Sequence, residues 1–190
     1  MLESLITSKT RIKLLLKFFL NSQTKSYLRS LESEFEGSSN AIRLELNHLE
    51  KYGLLATSLQ GNKKLFFANV KHPLFDDINR ILKKYIGIDQ IIDQLIIQVG
   101  GLRTAYLTGE FVYGNESKIV NLALVGEHLD QTLIKLLSMK VERIIGRKIN
   151  YCIMTKDELK LFKINNPVLL IWKSEEIPIE KLLLREKMRK

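Results

Sequence analysis

Cysteine is almost missing from this 190-residue chain, and its one copy, Cys152, rules out a disulfide framework within the chain. Because Cys152 lies in an apolar strand pattern, a buried, inert thiol is expected there. The three prolines and ten glycines are scattered, with no low-complexity tract and no internal repeat, so no Pro/Gly-rich linker marks a domain boundary. Long apolar runs are lacking too. The longest early one, Ile12 to Leu20, is broken by Lys13 and Lys17 and falls well short of the ~18 residues that span a bilayer. No small-residue cleavage site follows it, so neither a signal peptide nor a membrane anchor is expected, and a cytoplasmic location is. The histidines, His48, His72 and His128, are far apart and have no companion cysteines at ligand spacing, so no metal site and no cofactor are expected.

What the chain does have is hydrophobic content and positive charge. At 45% hydrophobic it has room for two small domains of ordinary core content. The net charge of +9 and pI near 9.6 suit a polyanionic partner. Residues 1–87 hold 14 Lys/Arg against 8 Asp/Glu, and residues 88–190 hold 16 against 13. The N-terminal half is the more basic, and the boundary is placed at Tyr85-Ile86-Gly87-Ile88.

The first half predicts three short helices and a hairpin. Ile12, Leu15, Leu16 and Phe19 share one face of a helix from Ser8 to Leu20, with Ser8 or Thr10 as N-cap. Tyr27, Leu28, Leu31 and Phe35 give a second helix from Ser26 to Phe35, followed by a turn at Glu36-Gly37. Ser38-Ser39 caps a third, in which Ile42, Leu46 and Leu49 are spaced i, i+4, i+7 and Gly53 stands at the C-cap. Residues 54–59 and 64–70 then flank Gln60-Gly61-Asn62-Lys63 as two strands of a hairpin.

With its phrase His48-Leu49-Glu50-Lys51-Tyr52-Gly53-Leu54-Leu55, this order resembles the winged helix-turn-helix regulators of the arsenic-repressor-like type over about residues 8–72. The resemblance implies a third helix that enters the DNA major groove and a hairpin that touches the backbone beside it. Asn40, Arg43 and Asn47 fall within about 60° of one another at ~100° per residue, away from Ile42, Leu46 and Leu49. Arg pairs bidentately with guanine and Asn with adenine, so these three are the candidate base readers. Ser38, Ser39 and the free amides of the helix start suit phosphate contacts, as do Lys63 and Lys64 at the hairpin tip. The plainer alternative is a solvated helix face and two lysines that serve solubility. His48 lies off the apolar stripe as a surface residue.

Residues His72 to Leu82 open with Pro73 and carry Phe75, Ile78, Leu82 and Ile86 along one stripe of a linking helix. Two readings stay open: pairing of two subunits, which would set two recognition helices one DNA turn apart, or packing inside the chain. The basic tail from Ile179 to Lys190 has Ile179, Leu182, Leu183 and Met188 at near-helical spacing, free to dock, to help a dimer or to fray.

The second half carries Thr108-Gly109-Glu110-Phe111-Val112-Tyr113-Gly114 and then Lys118 to Gly126. After Gly126, Leu129, Leu133, Leu136, Leu137 and Val141 predict a helix. Gly146-Arg147 then leads into a strand, and Thr155 and Glu158 have capping-box spacing. This order resembles the minimal bacterial nucleotidyltransferases, in which a strand runs into Gly-Ser-x-x-x-Gly and the next strand bears Asp-x-Asp. The resemblance implies a nucleotidyltransferase-like fold over residues 88–175. It also implies that Gly109, Glu110 and Gly114 stand at the Gly-Ser turn, Ile119 and Asn121 at the two aspartates and Asn150 at the third acidic position.

Magnesium demands oxygen ligands, and isoleucine has none. Glu110 would repel a triphosphate. The implied domain is therefore degenerate, and no transferase activity is expected. For activity, Glu110 and Glu116 would have to replace the aspartate pair from another backbone position.

The expected fold class is α+β: a winged helix-turn-helix domain with its linking helix in residues 1–87, and a nucleotidyltransferase-like domain without catalytic carboxylates and with a basic tail in residues 88–190. The expected function is sequence-specific binding of double-stranded DNA by a homodimeric transcription regulator. Its second domain would serve dimerisation or the sensing of an unidentified ligand or protein partner. A nucleotidyltransferase, or the antitoxin-like half of a toxin pair, is the competing expectation.

Overall fold

The computed structural model describes residues 6–35 and 37–174 and has a mixed α+β architecture. Glu36, half of the expected Glu36-Gly37 turn, and the tail from Ile179 lie outside the described residues. Helix α1 spans Lys9–Leu15, capped by the Ser8 side chain, which accepts from the Arg11 amide at 3.2 Å. It continues as a wider π turn over Leu16–Leu20. A single buried face was expected, yet Leu14, Leu16, Phe18 and Phe19 are all fully enclosed. Helix α1 is wrapped on several sides because segments from both halves of the chain pack on it.

Strand β1, Lys25–Tyr27, replaces the first turn of the expected second helix. It pairs antiparallel with a hairpin strand, Ser26 opposite Phe66 and Tyr27 opposite Leu65, and Ser26 points into the core. Three residues of alternating burial gain ladder hydrogen bonds there, a tertiary gain that local helix periodicity cannot reveal. Helix α2 is therefore only Leu28–Phe35, and α3 follows over Ser39–Lys51 with Ile42, Leu46 and Leu49 buried. The hairpin β2 Leu55–Gln60 and β3 Lys63–Ala68 turns over Gly61-Asn62, with Gln60 opposite Lys63. Strand β3 is central, giving the order β1-β3-β2.

Helix α4, Phe75–Ile86, begins two residues after Pro73. Its stripe is used inside the chain: Leu82 and Ile86 are buried, Phe75 stacks on Phe19 at 5.6 Å, and the Asn79 amide donates to the Phe19 carbonyl at 2.6 Å. The chain turns at Gly87 into α5, Ile88–Gln94. Strand β4 is Leu102–Thr108, α6 is the single turn Glu110–Tyr113, and β5 is Ile119–Gly126. Helix α7, Gln131–Ile145, is capped by the Asp130 carboxylate, and β6 is Lys148–Met154. Helix α8, Lys156–Asn165, has the reciprocal Thr155/Glu158 capping box, and β7 is Leu169–Lys173.

The second sheet has the order β6-β5-β4-β7, in which β5 and β6 run parallel and the other pairs antiparallel. Its inner face, including Leu122, Leu124 and Ile149, joins one hydrophobic cluster that runs continuously from Ile12 through α5 and α7, so the two halves share a core. On the outer face α8 covers only one end, over Ala123, Val125 and Met154. Cys152 lies on that outer face and is exposed, not buried as expected. It alternates with Tyr151 and Ile153, which pack on the core. Its thiol reaches the Leu122 carbonyl at 3.4 Å, and partial burial pushes its pKa up.

Candidate nucleic-acid interface

Burying Ile42, Leu46 and Leu49 turns the opposite face of α3 to solvent, where Asn40, Arg43 and Asn47 are all exposed. The Arg43 guanidinium donates to the Asn40 side-chain oxygen at 2.9 Å, which holds the two polar groups together at the start of that face. Leu44, 60% exposed, lies among them, an apolar side chain that core packing does not require. Ser38 occupies the N-cap position without a side-chain capping bond, and the Ser39 hydroxyl donates to the Glu32 carboxylate of α2. An ion pair between Arg11 and Glu45 at 2.8 Å ties α3 to α1. Burial pushes the Glu45 carboxyl up, but the hydrogen bonds from Arg11 and Ser8 and the nearby charges of Arg11 and His48 together outweigh it and leave the pKa below the ordinary value.

Beside this face runs a groove of about 310 Å³, bounded by α3, the start of α2 and the hairpin. Arg43 and Asn47 line one wall, Lys63 and Lys64 the other, and Leu28, Leu46 and Phe66 form an apolar floor. Arg29 and Tyr27 complete the lining. Lys64 is ion-paired with Glu50 at 2.7 Å, and that hydrogen bond is the main reason the Glu50 carboxyl lies below its usual range. The Lys63 ammonium sits over the Tyr27 ring at 4.8 Å. Among the described residues no carboxylate lines the groove, and Arg29, Arg43 and Lys63 have no carboxylate partner.

The fold thus brings Arg43, Asn47, Lys63 and Lys64 to one groove, while Ser38, Ser39 and Asn40 stand at the start of α3. Arg29, Tyr27 and Leu44 were missed in the sequence. Leu44 could have been found, since it lies four residues after Asn40 and three before Asn47. Arg29 and Tyr27 had no local signal, because β1 and its pairing bring them there.

The residues of the second motif also converge. Thr108 faces Asn121 across β4 and β5, and Asn121 faces Asn150 across β5 and β6. Gly109, at φ 68, packs so closely on Asn121 that a β-carbon would stand 2.7 Å from its side-chain nitrogen. Ile119 is 38% exposed at the open end of β5, opposite Lys148. Glu110 accepts from the Asn115 amide at 2.9 Å, and Gly114 ends the turn in the left-handed region.

Glu116 accepts a hydrogen bond from the Tyr85 hydroxyl and lies 3.6 Å from the Arg147 guanidinium. That guanidinium sits 5.0 Å from the Tyr85 ring and 5.2 Å from the Phe111 ring, and donates to the Ser117 carbonyl. Arg147 and Tyr85, from outside the motif, thereby hold its loop against α4. Among the described residues no group of three His, Cys, Asp or Glu side chains is placed to hold a metal ion. Nor, among the described residues, is any helix long and apolar enough to cross a membrane.

Comparison with family models, with curated proteins and with solved structures finds no match to this chain.

Proposed function

We propose that this protein is a sequence-specific DNA-binding transcription regulator, cytoplasmic and homodimeric, whose α1–α3 and β1–β3 act as a winged helix-turn-helix. The observation that carries this reading is the groove between α3 and the hairpin. Three of its cations have no carboxylate partner among the described residues, and they adjoin an exposed helix face of Asn40, Arg43, Leu44 and Asn47. A helix whose outward side chains donate and accept in planar pairs suits base edges in the major groove. Arg43 would take guanine O6 and N7, Asn47 or Asn40 an adenine edge, and Leu44 a thymine methyl. Lys63 and Lys64 would neutralise phosphates and position the helix without reading sequence.

The second half, in this reading, is a nucleotidyltransferase-like domain without transferase activity, because Ile119, Asn121 and Asn150 offer no carboxylate where Mg²⁺ would need one. It would support the DNA-binding half through the shared core and sense a ligand or partner. The α4 stripe is packed inside the chain, so a dimer would form through another surface.

Fluorescence anisotropy with a duplex selected for tight binding tests the reading. The Arg43→Ala, Asn47→Ala double variant should lose sequence discrimination while retaining its fold, because both side chains are exposed. An unchanged affinity of that variant for its best site would refute the assigned reading face.

A further inference from the structure

The groove that borders the reading face is more apolar than DNA contact requires. A phosphodiester needs donors and positive charge, and these are on the rim. The floor of Leu28, Leu46 and Phe66 gives a phosphate nothing. At about 310 Å³ the concavity is at the small end of the ~300–1,000 Å³ range of small-molecule sites, enough for one ring system. Such sites pair an apolar lining with a few placed polar groups. Here the charged groups are all cationic donors, Arg29, Arg43, Lys63 and Lys64, and the neutral Asn47 amide and Tyr27 complete the polar lining.

We infer that this groove binds a small amphipathic monoanion, a carboxylate on a flat apolar body, and that its occupancy displaces DNA. The apolar body lies over the floor, where Leu46 and Phe66 are only 1% and 5% exposed, so most of the apolar area removed from water is the ligand's own, at about 25 cal/mol per Å². The carboxylate accepts from Arg29 and Arg43, whose planar guanidinium groups suit bidentate pairing. A neutral analogue would leave the cations unmatched, and a bare inorganic anion would leave the floor uncovered. Displacement follows because Arg43 cannot serve the ligand and the duplex together. That regulatory half of the inference rests on the DNA-binding reading, whereas binding of the anion does not.

The test uses 1-naphthoate as probe with the full chain, measured by equilibrium dialysis without DNA and located by amide shifts in ¹⁵N-labelled protein. Naphthoate should bind at least ~10-fold more tightly than neutral 1-naphthamide or inorganic phosphate, about 1.4 kcal/mol. Its shifts should centre on residues 27–29, 43–47 and 63–66. Arg29→Ala should weaken naphthoate ~10-fold or more without loss of the native shift pattern. Tyr27→Leu, a second variant that keeps all four cations, should weaken it several-fold. Saturating sodium naphthoate should lower affinity for a selected duplex at least ~10-fold relative to sodium acetate of equal concentration.

Equal binding of naphthoate and naphthamide, or shifts away from the groove, would overturn the site. Unchanged duplex affinity under saturating naphthoate would overturn the displacement. Naphthoate binding in the groove with no duplex binding at all would uphold the site and refute the DNA-binding reading instead.

Discussion

Gly114 and Lys17 meet backbone to backbone: a β-carbon on Gly114 would stand 2.5 Å from the Lys17 Cα. Gly114 ends α6 at φ 88, and Lys17 lies in the buried π turn that continues α1. This contact joins the motif of the second half to the first helix of the chain without any side chain that could move aside.

Gly114→Ala is therefore expected to destabilise the protein by at least ~2 kcal/mol, through left-handed strain together with the clash. Urea unfolding followed by circular dichroism checks it. A loss within ~0.5 kcal/mol, the range of ordinary surface substitutions, would mean that the two halves do not approach here as described.

The Arg147 cluster gives a second prediction. Arg147→Leu removes two ring contacts and the donor to the Ser117 carbonyl, and should cost about 2–4 kcal/mol. Burial, reinforced by the Glu116 carboxylate, pushes the Tyr85 phenol up to about 12 from 10.0. The folded state thus holds that proton more tightly than the unfolded state. Stability from Tyr85 is fully present below pH 10 and declines as pH rises toward 12. Tyr85→Phe should flatten that alkaline decline in urea midpoints measured from pH 9 to 11.5, and an identical decline in the variant would contradict the cluster.

Glu142 makes the opposite prediction in acid. Its carboxylate accepts from the Ile149 amide at 2.8 Å and from Lys148 at 2.9 Å, and these two donors, in that order, hold its pKa below the ordinary carboxylate range. A depressed folded pKa contributes stability that is present above the unfolded value and is lost as pH falls through the folded one. Glu142→Ala should cost roughly 1 kcal/mol at pH 7, and the difference from the parent should shrink below about pH 4. A difference that stays constant from pH 7 to pH 3 would show that the carboxylate charge contributes nothing.

The sequence was most legible where one element decides its own structure. The Ile42, Leu46, Leu49 spacing marks α3, Gly61-Asn62 marks the hairpin, and Thr155 with Glu158 marks the start of α8, because each signal lies within a few residues. It was least legible where distant segments meet. Lys25-Ser26-Tyr27 reads as helix until β3 is present to pair with it. Cys152 reads as buried until it is seen that α8 covers only one end of the outer sheet face. Of the candidate interface, Arg43, Asn47, Lys63 and Lys64 follow from helix phase and turn position. Arg29 and Tyr27 do not, since the route of the chain from β1 into α2 puts them in the groove. Leu44 was hidden by its own chemistry, an apolar side chain on a face defined by polar ones.

Selection of bound fragments from random duplex DNA, followed by affinity against salt concentration on the winner, tests the central claim most directly. The account predicts a palindromic motif bound at least ~10³-fold more tightly than non-specific DNA, with log affinity falling linearly in log salt as phosphate contacts release counterions. Weak binding with no enriched motif would contradict it.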